Sequence, residues 1–212
     1  MPDWSTLILF AVAASILVFT PGPNTLYIIA RSVQQGRGAG IVSSLGVEVG
    51  TLIHVAAAAC GISALLLSSA LAFSVVKYAG AAYLIYLGLK TLLTREIAAA
   101  VVKTIEEKSL RHAFSQAVSV NVLNPKSAMF FFAFLPQFID AERGAAATQI
   151  LVSGAIVVVL GFTSGSLYSL LAGSLGNLLR GNLRFLRAQR YFAGSVYVGL
   201  GAATALTGTT KQ

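Results

Sequence analysis

Charge is what this sequence has least of. Only 10% of its 212 residues are Asp, Glu, Lys or Arg, against roughly 25% in an ordinary soluble domain. Trp4 to Ala30, Val49 to Val76 and Gly144 to Leu179 carry none. Cysteine is almost missing: Cys60 stands alone, which excludes an internal disulfide, a thiol pair for redox relay and a cysteine metal cluster. Histidine is limited to His54 and His112. No serine–histidine–acid set, metal-ligand cluster or phosphate-cradling glycine loop can be assembled, so no enzyme, cofactor or bound metal is expected. Strict alternation of apolar and polar residues is lacking as well, which argues against a membrane β-barrel. Nor does a soluble basic module exist to carry nucleic-acid binding, despite a net charge of +8. The apolar start is not read as a cleavable signal peptide, since only Asp3 precedes a run too long for one.

What is present is apolar sequence, 56% of the chain. Each uncharged run exceeds the roughly 20 residues that cross a ~30 Å hydrocarbon core. In lipid every backbone amide must be bonded internally, so such runs are helices. The expected fold is an all-α integral membrane protein with six transmembrane helices near 6–30, 40–67, 72–93, 113–137, 147–176 and 191–208. Lys77 and Lys90 flank the third, where long side chains can reach the interface. Lys and Arg number eleven in the odd connections, Arg31, Arg37, Lys90, Arg95, Lys103, Lys108, Arg111, Arg180, Arg184, Arg187 and Arg190. They number three on the other side, Lys77, Arg143 and Lys211. That bias places the odd connections in the cytoplasm and both termini outside. Arg180, Arg184 and Arg187 share a helical face beside leucines, which suits a short helix on the inner leaflet.

The halves resemble each other. Gly46 and Gly50 in span 2 match Gly161 and Gly165 in span 5, and small residues of this kind let helices pack closely in lipid. Lys77-Tyr78 with Gly80 and Tyr83 matches Arg190-Tyr191 with Gly194 and Tyr197. Prolines interrupt span 1 at Pro21 and Pro23 and span 4 at Pro125. Three helices is an odd number, so tandem copies insert with opposite orientation. Residues 1–93 and 113–212 are read as inverted three-helix repeats joined by a cytoplasmic linker, 94–112.

Chemistry concentrates at the interruptions. Thr20-Pro21-Gly22-Pro23-Asn24 removes two amide donors and frees carbonyls of the preceding turn. A helix restarting near Pro23 presents N–H groups and the positive end of its dipole, a seat for a carboxylate. In Asn121-Val122-Leu123-Asn124-Pro125-Lys126, Asn124 suits a cap and Pro125 the first turn. Lys126 falls near mid-depth, where a charged lysine costs on the order of 3 kcal/mol, so something anionic or wet must offset it, or carbonyls hold it. Glu48 is the only acid inside a predicted span, at a depth like that of Asn24, on the order of 12 Å from the cytoplasmic side. What stands beside it governs its protonation. It suits a proton carrier, an ammonium partner or a salt bridge to Lys126. His54, six residues on, is read first as a hydrogen-bonded packing residue and second as an aid to proton coupling or amine recognition.

At these positions the chain resembles the lysine exporter family, and within it the homoserine/threonine resistance branch. The matching stretches are Thr20 to Asn24, the Gly46…Gly50…His54 pattern, Lys77 to Gly88, and Asn121 to Lys126 followed by Leu135-Pro136-Gln137-Phe138. The resemblance implies a multi-pass efflux protein of the bacterial inner membrane that exports amino acids or related metabolites against protons. Glu48 is a partial departure: basic-amino-acid exporters of the family tend to carry an acid near this place, homoserine-type relatives often do not. Neutral and basic substrates both stay open, as does a homodimer. The expected substrate site is Pro21, Gly22, Pro23, Asn24, Asn121, Asn124, Pro125 and Lys126, with Glu48 and His54 for proton coupling or amine recognition. Rival readings are a metal or cation exporter, for which soft ligands are missing, and a non-transporting membrane scaffold.

Overall fold

The computed structural model describes residues 3–68, 70–93, 109–140 and 144–179, and positions 191, 194, 195, 198, 199, 201, 202 and 205. Helix α1, Trp4–Phe19, starts at Asp3, whose carboxylate accepts the N–H of Thr6 at 2.8 Å. It ends where proline removes the next donors. Helix α2, Pro23–Gln35, restarts at a bend of 52°. Gly36, at φ +87°, is the sole residue between α2 and α3, Arg37–Ser68; that backbone conformation favours glycine. Helix α4 follows, Ala70–Leu93. Ser109 then caps α5, Leu110–Val122, through the N–H of His112.

The second break repeats the first. Asn124 accepts the N–H of Lys126 at 3.0 Å and Pro125 fills the first helical position, opening α6, Pro125–Met129. The chain continues as a π-helical stretch, Phe130–Phe134, and a 3₁₀ turn, Leu135–Phe138. The bend here is 48°. Short π stretches recur at functional sites, and this one turns Phe130, Phe131 and Phe134 into a core with Phe10, Leu17, Val55 and Ile150. Helix α7, Ala146–Leu179, closes the described bundle.

Every described element is helical or a connection, with no strand among the described residues. Among the described residues two helices are long and apolar enough to cross a membrane, Arg37–Gly61 and Ala146–Ala172, or up to four spans if each bent pair is one. Much of the molecule's outer surface is apolar: Trp4, Ile8, Leu9, Val12 and Ile16 on α1 and Leu151 and Val159 on α7 are exposed. A helix apolar all round belongs in lipid. The residues expected as a third span fall in α4, of which Ala81–Lys90 is a shorter apolar stretch, and the described positions of the expected sixth are helical. A Cβ on Gly88 would lie 2.6 Å from Val198 and 2.8 Å from the Gly194 carbonyl, so the two pack without intervening side chains.

The expected linker lies outside the described residues as far as Lys108, and its last three positions, Leu110 to His112, belong to α5. Arg95, Lys103, Lys108, Arg143, Lys211 and the arginines from Arg180 to Arg190 also lie outside them. One charge is corrected. Arg31, counted as a connection residue, sits inside α2 with 1% exposure. Its Nε donates to Tyr27 at 3.0 Å and its Nη2 to Gln116 at 2.6 Å, while Tyr27 donates to the Ala113 carbonyl at 2.9 Å. It fastens α2 to α5.

The glycine pairs hold α3 between two neighbours. A Cβ on Gly46 would stand 2.5 Å from the Phe114 carbonyl, and one on Gly50 2.8 Å from Asn121 Cβ, both on α5. On α7, Gly161 and Gly165 face Glu48 and Ser44 of α3.

Candidate functional site

In an uninterrupted helix each carbonyl accepts the N–H four residues on. Pro21, Pro23 and Pro125 have none to give, so the carbonyls of Leu17, Phe19 and Asn121 lose that partner. Leu17 O accepts the Thr20 N–H at 3.2 Å and Asn121 O the Asn124 N–H at 3.0 Å instead. Each receives a distant side chain. Lys126 Nζ donates to Leu17 O at 2.9 Å and also to Thr20 O at 2.8 Å. The Tyr168 hydroxyl donates to Phe19 O at 2.8 Å. His54 Nε2 lies 3.0 Å from Asn121 O; a carbonyl only accepts, so that nitrogen carries the hydrogen. The His54 ring stacks on Phe131 at 6.0 Å. Each carbonyl that loses its proline partner thus also accepts from a side chain of another element, as a non-aqueous surrounding favours.

Asparagines join the breaks directly. Asn24 Nδ2 donates to Asn121 Oδ1 at 2.8 Å, and Asn124 Nδ2 donates to Asn24 Oδ1 at 3.0 Å. Ser127 donates to Asn121 Oδ1 at 2.6 Å. Asn121 Nδ2 in turn donates to Val47 O at 2.6 Å and to Thr51 Oγ1 at 2.9 Å. All four hydrogen-bonding positions of that amide are filled, at 0% exposure. Asn121 is the hub between α2, α3 and α5.

Beside this network lies a cavity of about 80 Å³. A water needs roughly 10–15 Å³ by this measure, so several fit. Gly22, Asn24 and Thr25 line it from the first break, Glu48 and Thr51 from α3, Asn124, Lys126 and Ser127 from the second break, and Gly161 and Ser164 from α7. Five predicted site residues thus line one cavity: Gly22, Asn24, Glu48, Asn124 and Lys126. The prolines 21, 23 and 125 shape the breaks without lining the cavity. Asn121 and His54 stand behind it. Glu48 is buried, and its Oε2 has no hydrogen-bond partner. Lys126 is seated on main-chain carbonyls, the alternative raised for it in the sequence.

Tyr168, Thr51 and Ser127 were missed. Tyr168 has a weak signal, lying seven residues past Gly161 on one helical face. Thr51 and Ser127 follow Glu48 and Asn124 by three, one turn along each helix.

Gly161 leaves the space that the Glu48 carboxyl occupies. A Cβ there would lie 2.5 Å from Oε1 and 2.8 Å from Oε2. Gly161→Ala is expected to lower stability in detergent by about 1–3 kcal/mol, the usual cost of overpacking. In a Glu48→Ala background the penalty should vanish. A penalty that persists there places the clash on the helix backbone instead.

Among the described residues no three His, Cys, Asp or Glu gather as metal ligands. Comparison with known proteins gives a consistent answer. The family of LysE type translocators matches residues 15–208. An "Uncharacterized membrane protein" of Vibrio cholerae serotype O1 is 34% identical over 198 residues, covering 93% of this chain and 94% of its own. The "Homoserine/homoserine lactone efflux protein" of Salmonella typhimurium is 30% identical over 197 residues, with 92% and 94% covered. The "Leucine efflux protein" of Salmonella choleraesuis is 28% identical over 199 residues, with 92% of each chain covered. No solved structure matches significantly.

Proposed function

The chain belongs to the family of LysE type translocators, and on that footing we propose that it exports small zwitterionic amino acids or close derivatives across the bacterial inner membrane. The relatives named for homoserine/homoserine lactone and leucine efflux support this substrate class. Proton antiport by alternating access is the proposed mechanism.

One observation carries the reading: Glu48, whose buried Oε2 has no hydrogen-bond partner, lines the same cavity as Gly22, Asn24 and Thr25 at the start of α2. No side chain caps α2, so its N-terminal N–H groups and dipole can meet a carboxylate. Asn124 already caps the other restart, which makes α2 the better carboxylate site. The substrate ammonium would bond to Glu48. Substrate and proton then compete for one carboxylate: a proton arriving from outside displaces the ammonium, and its release inside readies Glu48 for the next substrate.

The six spans, the inverted repeats 1–93 and 113–212 and the outside placement of both termini complete the proposal. Two bends of similar size, 52° and 48°, and carbonyl capping that runs both ways between the halves support the repeats. The test is metabolite profiling of medium from overexpressing and deleted cells. A rise of one or more amino acids with expression, and resistance to their toxic analogues, is expected. A non-transporting scaffold would produce neither.

A further inference from the structure

At the first bend Leu17 O accepts one local N–H, that of Thr20 at 3.2 Å, and keeps its second lone pair for a donor from elsewhere. Proline takes away the donor that Leu17 O would meet at residue 21, and Thr20 ends α1. Both carbonyls stand at the negative end of the α1 dipole, and both accept from one atom, Lys126 Nζ, at 2.9 and 2.8 Å. That lysine is brought from the other break, 109 and 106 residues away. It is 8% exposed and lies on the cavity wall.

Unwound helix carbonyls that gather at one point are how membrane carriers hold monovalent cations. We propose that the bend at Leu17–Thr20 is a monovalent-cation seat of the primary-ammonium class, and that Lys126 is its tethered occupant. An ammonium directs its donors from one compact centre, whereas the planar fork of a guanidinium does not converge in this way. The seat explains how a lysine is tolerated at this depth. Because the occupant is covalently attached, the seat stays closed to diffusible cations.

This seat can be tested without reference to transport. Lys126→Ala removes the ammonium and three methylenes, which n-propylammonium restores as a free ion. In detergent, n-propylammonium at ten times its Kd should raise the melting temperature of the variant by about 3–6 °C. Neutral n-propanol should not, and neither should shift the wild type. An equal rise with n-propanol would mean a hole that any matching chain fills, and no rise with either would mean no seat; both outcomes overturn the proposal. Should the alanine variant not fold, Pro21→Ala gives residue 21 an N–H for Leu17 O and halves the seat. Reductive methylation of Lys126, read by peptide mass spectrometry, should then run several-fold faster than in the wild type. An unchanged rate refutes the seat.

Discussion

Proteoliposomes carrying Glu48→Gln are expected to show no substrate-driven proton movement, with the protein inserted normally. Gln preserves the shape and one acceptor oxygen but removes the charge and the exchangeable proton. The Glu48 Oε2 has no hydrogen-bond partner, and the carboxyl faces the space left by Gly161. A charge-assisted bond contributes about 1.5–3 kcal/mol, so losing the ammonium contact should weaken substrate binding by roughly 10–100-fold. The two roles separate in one experiment. If amino-acid counterflow survives while proton movement stops, Glu48 carries the proton alone. If both stop, the carboxylate also holds the amine. Coupled flux at the wild-type rate would remove Glu48 from the mechanism.

The second large effect is structural. Asn121→Ala deletes four hydrogen bonds at a fully buried position and leaves Asn24, Ser127 and Thr51 short of partners. Side-chain bonds inside membrane proteins average about 0.6 kcal/mol with a maximum near 1.7, so the variant should lose about 3 kcal/mol. A fall in melting temperature of roughly 6–12 °C is the expected readout. The main-chain carbonyl of residue 121 is unchanged, so His54 keeps its acceptor. Asn121→Asp should fall between the two, since it retains the oxygen used by Asn24 and Ser127 but not the donors to Val47 and Thr51. A shift below about 1 °C for the alanine variant would show that the network is not what joins the breaks.

The helix breaks are legible in the sequence because a missing N–H is a property of proline itself, visible without any partner. Glu48 and Lys126 stand out for a similar reason: a charge in an apolar run needs an explanation wherever the chain goes. Partners are another matter. Tyr168 meets Phe19 across 149 residues, and nothing local in Gly165-Ser166-Leu167-Tyr168 announces it. His54 was read as a packing residue, and it does stack on Phe131, but it also bonds the Asn121 carbonyl, four residues before Pro125. That pairing follows only once α3 and α5 are side by side. Arg31 was misread because Arg31 to Arg37 looks like a polar connection. The helix instead runs to Gln35, and a single positive-φ glycine makes the turn. Its burial depends on Tyr27 and Gln116, which periodicity does not bring together. The π stretch at Phe130–Phe134 had no signal beyond a run of phenylalanines.

The borrowed donors at the first bend bear on how the protein is made. Ribosomes make α1 and α2 long before Lys126 and Tyr168 exist, since the donors follow their acceptors Thr20 and Phe19 by 106 and 149 residues. During that interval the carbonyls of Leu17, Phe19 and Thr20 lack their final donors. Water in the insertion machinery or lipid headgroups must serve them meanwhile. Helices α1 and α2 are thus an apprentice structure, completed only when later-born helices bring their donors.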